Sequence, residues 1–531
     1  MAILTTSYYV TIGVMVKPVK IFLFAGQSNM VGADAHPERI DDFPLFKGAG
    51  APQPDIRYIT LQLQKEGWGA LRPFDAFGPE LTFARLVKKH DDSPLAIIKS
   101  AIGGTTAAYD WNPDAPENGQ KLYPRTLQLI REALAAFDKQ GVRYQFEAVV
   151  WHQGENDMLD RKVNTAYAAN LRTIIQRLRA DLQLPKLKWF LGEVSEKGIW
   201  GMDNRANLAV LRAQQDQLLA SDPLLRWVPT SHLAFDVMNS GQPHYHFGTQ
   251  GQLQLGEAFA TAYLKDSGKL PKPEERKFAK SLPVPKKGRV RLFVLAGQRN
   301  MEGEDAFVSE LPAALAQPQN GILFRYSLGG GVQLSKNWEP LGPVSTLGNF
   351  GPELSLGAQL RKSLPASDGV ALLKFTHSGA QGPDWLPQGS PESRRNLYPR
   401  FIASLRDAAA DLARQGYEPS WEGFFWHPGE NDTYFASYLK NYAGWMKSLV
   451  AQVRQDLGQL ALPWFVSEQH PKAIWKNMEA LNASLRELAT TDKQLVIVKT
   501  EHLPHQRVHF GTQGTLLLGE ALARAYQERR P

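Results

Sequence analysis

Short apolar runs alternate with amphipathic stretches along the chain. Residues 19–25, 57–63, 95–99, 148–151 and 187–191 are short and mostly apolar, the pattern of strands buried in a sheet. Between them, residues 81–89, 126–140, 167–182 and 204–220 carry apolar positions at helical spacing. Alternation of this kind predicts a parallel sheet covered by helices on both faces. In such sheets function gathers at the carboxyl ends of the strands. Three chemically dense segments directly follow predicted strands: Gly-Gln-Ser-Asn-Met at 26–30, the Gly103-Gly104 pair, and the polar run from Gln153 to Asp157. One shared pocket is therefore expected.

The same alternation returns in the second half, and the motifs return with it. Gly-Gln-Arg-Asn-Met stands at 297–301, Phe-Gly-Pro-Glu-Leu at 77–81 and 350–354, and Leu-Tyr-Pro-Arg at 122–125 and 397–400. Trp-His-Gln-Gly-Glu-Asn-Asp at 151–157 becomes Trp-His-Pro-Gly-Glu-Asn-Asp at 426–432, and Trp189-Phe190 with Ile199-Trp200 matches Trp464-Phe465 with Ile474-Trp475. His-Phe-Gly-Thr-Gln-Gly is identical at 246–251 and 509–514. These matches keep one order at offsets of 263 to 275 residues, so the chain is a tandem duplication.

Composition changes this picture little. At 531 residues the chain exceeds what one core organises, and each half is long enough to bury a core of its own. The Pro- and Lys-rich stretch 267–288 reads as a linker between a domain at 17–266 and one at 289–531. Cysteine is absent, which excludes disulfides, thiolate catalysis and cysteine-ligated metal. The net charge of +7 is mild, with no arginine-rich stripe to suggest nucleic acid. No stretch has a membrane-spanning length, and residues 1–15 lack the basic leader and cleavage site of a signal peptide.

The candidate chemistry is acyl transfer. Ser28 stands where a strand would present a nucleophile, although capping of the following helix is the plain alternative. The Gly-x-Ser-x-Gly elbow is absent from the chain. His246 is the candidate base, because of its neighbours His232 and His244 it alone recurs in the repeated block. Gly104 aligns with Gly379 and can bring a backbone N–H close to substrate. Gln153 or Asn156 can supply a side-chain amide to an oxyanion, whereas Glu155 and Asp157 are better suited to fixing the loop. The spacing of His152 and Glu155 is not a zinc motif, and no metal is expected.

Taken together, these motifs resemble the sialate O-acetylesterase-type branch of the SGNH hydrolases, and carbohydrate esterase family six, with its acetylxylan esterases, is similar. The resemblance covers both halves. It implies two tandem α/β domains of flavodoxin-like three-layer α/β/α architecture. It also implies removal of O-acetyl groups from sugars without a cofactor, in a secreted or periplasmic setting. Carried over by residue, Ser28 is the nucleophile and His246 the base, with an oxyanion hole from the N–H groups of Ser28 and Gly104 and the amide of Gln153 or Asn156. The expected partner is an acetylated carbohydrate, with neither nucleic acid nor membrane.

Two departures bear on activity. The family places an aspartate three residues before the histidine, and here that position is Pro243, or Gln506 in the second half. Loss of a triad acid can lower turnover about 10⁴-fold. Asp236, Glu193 or Glu80 is expected to substitute, or else a backbone carbonyl holds the ring. In the second half Arg299 replaces the nucleophile and Pro428 replaces Gln153, while His509 persists. That copy is expected to be inactive, serving as scaffold or using Arg299 to pair with a uronate or sialate carboxylate. A carbohydrate-binding pseudo-esterase is the alternative for the chain as a whole, and a lipase or thioesterase a weaker one.

Overall fold

The structure is a computed structural model and describes residues 17–115, 119–195, 197–199, 202–235, 245–271, 276–278, 288–345, 347–390, 393–506 and 508–529. In the first half the elements run β1 (Val19–Gly26), α1 (Ser28–Val31), β2 (Gln53–Thr60), β3 (Gly69–Leu71), α2 (Glu80–His90), β4 (Leu95–Ala101), α3 (Leu122–Lys139) and β5 (Tyr144–His152). They continue with α4 (Arg161–Thr165), α5 (Tyr167–Asp181), β6 (Lys188–Gly192), the two-residue pair β7 (Gly198–Ile199) and β8 (Met202–Asp203), α6 (Arg205–Ser221), β9 (Leu225–Val228) and α7 (Gly248–Asp266). Seven strands form one sheet in the order β3-β2-β4-β1-β5-β6-β9, parallel except for the β2–β3 edge.

This order places β1 where the chain reverses its direction of travel across the sheet, the topological switch point of an open α/β sheet. Register does the rest. Gly26 at the end of β1 pairs with Ala101 of β4 on one side and His152 of β5 on the other. The segments that follow β1, β4 and β5 therefore leave the sheet at one level.

Alternation along the strands sorts side chains between two helical layers. Ile21, Leu23, Val149, Trp151 and Trp189 pack under α3, α5 and α6 with Ile130, Ile175 and Leu211. Phe22, Phe24, Val150 and Phe190 pack under α2 and α7 with Phe83, Phe259 and Tyr263. Residues 57–63 do not form one strand: β2 ends at Thr60 and Leu61–Glu66 coils into 3₁₀ turns. There Gln62 Nε2 donates to the Ala101 carbonyl (3.0 Å), folding the chain over the end of β4.

The second half repeats the plan with β10 (Arg289–Gly297), α8 (Arg299–Glu302), α9 (Ala313–Ala316), β11 (Gln319–Leu328), β12 (Gln333–Leu334), β13 (Glu339–Leu341), α10 (Glu353–Ser363) and β14 (Gly369–Thr376). Then come α11 (Tyr398–Arg414), β15 (Glu418–His427), α12 (Ala436–Asp456), β16 (Trp464–Ser467), α13 (Met478–Thr491), β17 (Leu495–Val498) and α14 (Gly511–Arg529). The sheet order β12-β11-β14-β10-β15-β16-β17, with β13 on β11, again centres on the strand that precedes the Gly-Gln-x-Asn-Met segment. Among the described residues no helix is long and apolar enough to cross a membrane.

Candidate active site

Gly26 holds φ at +153°, and a Cβ there would sit 2.0 Å from the His152 carbonyl oxygen. Only glycine lets β1 end this close to β5. The chain then turns, and Ser28 is the first residue of α1, capped by Gln27 without a side-chain cap bond. Capping is thus not the task of Ser28. Its hydroxyl makes no hydrogen bond to a described residue, and its side chain is only partly buried. Across from it lie Gly103 and Gly104, both exposed after β4. Gly104 adopts φ +74° and has open space where a side chain would be. Among the described residues, the amides of Ser28, Gly103 and Gly104 donate to no backbone carbonyl.

The segment after β5 is laced to the Ser28 turn. Gln27 Oε1 accepts from Gln153 Nε2 (3.2 Å) and the Gly154 amide (3.2 Å), and Gln27 Nε2 donates to Asn156 Oδ1 (2.8 Å). Gln153 is fully buried, and its Nε2 also donates to the Thr105 carbonyl (3.0 Å) and to Asp157. Both protons of that amide, which the sequence offered to an oxyanion hole, thus face acceptors inside the fold. Asn156 differs: its oxygen is fixed by Gln27, its Nδ2 donates to no described residue, and its side chain is partly exposed. Asp157 accepts from the Ala107 amide (2.9 Å) and the Ala108 amide (3.3 Å), and burial raises its pKa to about 7. Glu155 accepts from Asn29 Nδ2 (2.7 Å) and lies beside His152 Nδ1 (3.3 Å).

Asn29 also fixes the histidine turn. Its Oδ1 accepts from the Phe247 amide (3.2 Å), and Gln252 Nε2 donates to its carbonyl (2.7 Å). His246 is therefore held one residue from a backbone amide bound by a side chain of α1. The ring's Nδ1 meets Asp34 Oδ2 at 2.5 Å. Of the carboxylates expected from the sequence, the two described ones, Glu193 and Glu80, are engaged elsewhere. Glu193 pairs with Arg212 (2.7 Å) and accepts from the Thr230 and Ser231 amides; burial opposes its charge, but Arg212 and Arg395 hold its pKa down to about 2. Glu80 pairs with Lys99 (2.7 Å), whose Nζ also donates to the Val31 carbonyl at the end of α1 (2.9 Å). Asp236 lies outside the described residues, as do Pro243 and His244. The sequence held a signal for Asp34: it stands six residues after Ser28, and Asp305 stands six after Arg299.

The sequence pattern of a family described as carbohydrate esterase, sialic acid-specific acetylesterase, matches residues 18–265 and again 289–528. The chain belongs to this family. Both repeats are thus copies of one carbohydrate esterase unit, with the α/β fold and mostly parallel sheet described above. A probable carbohydrate esterase of Arabidopsis thaliana is 27% identical over 268 residues, 47% of this chain and 92% of the relative. The crystal structure of that plant protein aligns at 25% identity with a TM-score of 0.37, covering 47% of this chain and 99% of that one. A carbohydrate acetylesterase from Xanthomonas citri aligns at 15% identity with a TM-score of 0.35, covering 45% and 56%.

The second repeat keeps the frame and carries Arg299 where the first has Ser28. Asn300 Nδ2 donates to Glu430 Oε1 (2.9 Å), the Phe510 amide donates to Asn300 Oδ1 (3.1 Å), and His509 Nδ1 meets Asp305 Oδ2 at 2.6 Å. Arg299 is buried, and its Nη1 donates to both oxygens of Glu304 (3.1 and 3.0 Å) while Nε donates to Asn431 Oδ1 (3.4 Å). Glu304 stands where the first repeat has Ala33, so the buried cation arrived with its own counterion. The carboxylate slot expected for a uronate or sialate is filled from within the repeat.

That site is also covered. A Cβ on Gly379, the counterpart of Gly104, would lie 1.9 Å from the Ser231 carbonyl oxygen of the first repeat, and Lys197 Nζ donates to the Gly379 carbonyl (2.6 Å). What remains beside Arg299 is a cavity of about 40 Å³ that Phe235, Ser231 and Lys197 help to line. Asn431, the counterpart of Asn156, is buried with Nδ2 donating to Gln298 Oε1 (2.7 Å) and the Ser378 carbonyl (3.0 Å).

Proposed function

We propose that the first repeat, residues 17–266, hydrolyses acetyl esters on carbohydrates, and that the second, 289–531, serves as its scaffold. The observation that carries this reading is the uncommitted Ser28 hydroxyl at the sheet's switch point, between the open Gly104 turn and the unspent amide of Asn156. Ser28 Oγ attacks the acetyl carbonyl as His246 Nε2 takes its proton. The tetrahedral oxyanion forms against the N–H groups of Ser28 and Gly104 and Asn156 Nδ2, donors already in place before charge develops. The imidazolium then protonates the leaving sugar oxygen, and water, activated by the same ring, releases acetate from the acetyl-enzyme. No step calls for a cofactor.

The test is acetate release from acetylated sugars, acetylated xylan and p-nitrophenyl acetate by wild type and Ser28→Ala. Turnover by wild type and its loss by at least about 10³-fold in Ser28→Ala is the expected result. Full activity in Ser28→Ala would overturn the mechanism. Binding of these glycans with no acetate release by wild type would make the protein a pseudo-esterase.

A further inference from the structure

The acid that orients a catalytic histidine is expected on the histidine's own loop, and that position is Pro243 or Gln506. We infer that Asp34, carried on the nucleophile's turn, is the positioning residue of His246. This deepens the esterase reading above and rests on it for its kinetic consequence.

The turn is built to aim the carboxylate. α1 closes at Gly32 with φ +94°, the Ala33 amide donates to the Ser28 carbonyl (3.0 Å), and Asp34 follows with φ +60°. That left-handed conformation is uncommon for residues with a side chain, and aspartate is among those that tolerate it. Two residues on, the His36 amide donates to Thr249 Oγ1 (2.9 Å) on the first turn of α7, three residues past His246. Asp34 is thus clamped between Ser28 and the helix that begins beside His246.

The second repeat reproduces each part: Gly303 at φ +102°, the Glu304 amide on the Arg299 carbonyl (3.0 Å), Asp305 at φ +66°, and the Phe307 amide on Thr512 Oγ1 (2.9 Å). There too the carboxylate meets Nδ1 of the histidine, while the Gln506 amide only donates to the His509 carbonyl (2.8 Å). Two copies that diverged at the nucleophile share this pairing, so it comes from the turn common to both.

The chemistry follows from which ring nitrogen is bound. With Nδ1–H donating to Asp34, Nε2 keeps its lone pair for the serine proton, and the carboxylate stabilises the imidazolium that results. Because the Asp34 side chain is 46% exposed, its effect is weaker than that of a fully enclosed triad acid.

The test compares Asp34→Asn, Asp34→Glu and Asp305→Asn with wild type. In Asp34→Asn, kcat on p-nitrophenyl acetate falls about 10²- to 10⁴-fold with KM nearly unchanged. Asp34→Glu recovers part of the rate, and Asp305→Asn is neutral. Retention of wild-type kcat in Asp34→Asn would overturn the inference. A readout independent of turnover is the far-downfield ring N–H resonance that each histidine–carboxylate pair gives in the proton spectrum. Asp34→Asn removes one such resonance and Asp305→Asn a different one. If none is lost in Asp34→Asn, the pairing is wrong whatever the activity; if one is lost while Ser28→Ala stays active, it is the esterase mechanism that fails.

Discussion

At the scale of single residues, residue type and motif position were legible in the chain and partnerships were not. Ser28 and Gly104 stood out because each follows a predicted strand, and His246 because its block recurs in the second half. Gln153 and Asn156 were indistinguishable by type, since both carry an amide in the same segment. What separates them is commitment: Gln153 Nε2 is shared among Gln27, Thr105 and Asp157, whereas Asn156 Nδ2 is unspent. Asn156→Ala is therefore expected to lower kcat by about 10²- to 10³-fold, the usual cost of one oxyanion donor, with the melting temperature little changed. Gln153→Ala is expected to lower the melting temperature, because it strips a buried network and leaves Gln27 and Asp157 short of a donor. Steady-state kinetics and thermal melts on the two variants check this, and a reversed assignment would return the oxyanion role to Gln153. Asp34 was missed because its partner lies 212 residues away, a distance that only the packing of α7 against the β1–α1 turn brings to hydrogen-bond length.

At the scale of elements, strands and helices followed the hydrophobic period, and deviations occur where local contacts compete with it. β2 stops at Thr60 because Gln62 bonds to the end of β4 rather than continuing the ladder. The short edge strands β3 and β9 carry too few residues to show a period at all. The junction of α8 with α14 in the second repeat has a pH signature. Burial works against charge on His509, but Asp305 beside Nδ1 reverses this and raises its pKa above the ordinary value. The folded chain then holds a proton that the unfolded chain has released, so the stabilisation is complete below about pH 6.5 and fades as pH rises through the folded value. His509→Gln should accordingly lower the urea midpoint more at pH 6 than at pH 9. Equal losses at the two pH values would contradict the pairing with Asp305.

At the scale of the whole molecule, duplication gave two esterase frames and the contact between them closed one. Lys197 and Ser231 of the first repeat press on Gly379, and Arg205 of the first repeat stacks over Phe435 (4.0 Å) and Tyr438 (3.3 Å) of the second. The sequence showed that Arg299 cannot attack an ester. It could not show that the surrounding pocket is filled, because that depends on how the repeats meet. Arg299→Ser alone should therefore fail to create a second working site. The most direct test of one live and one closed site is covalent labelling with a small fluorophosphonate, followed by intact-mass and peptide analysis of wild type, Ser28→Ala and Arg299→Ser. The expected result is one adduct per chain on Ser28 in wild type and in Arg299→Ser, and none in Ser28→Ala. An adduct on any other residue of the wild type, a second adduct at position 299, or labelling of Ser28→Ala would contradict it.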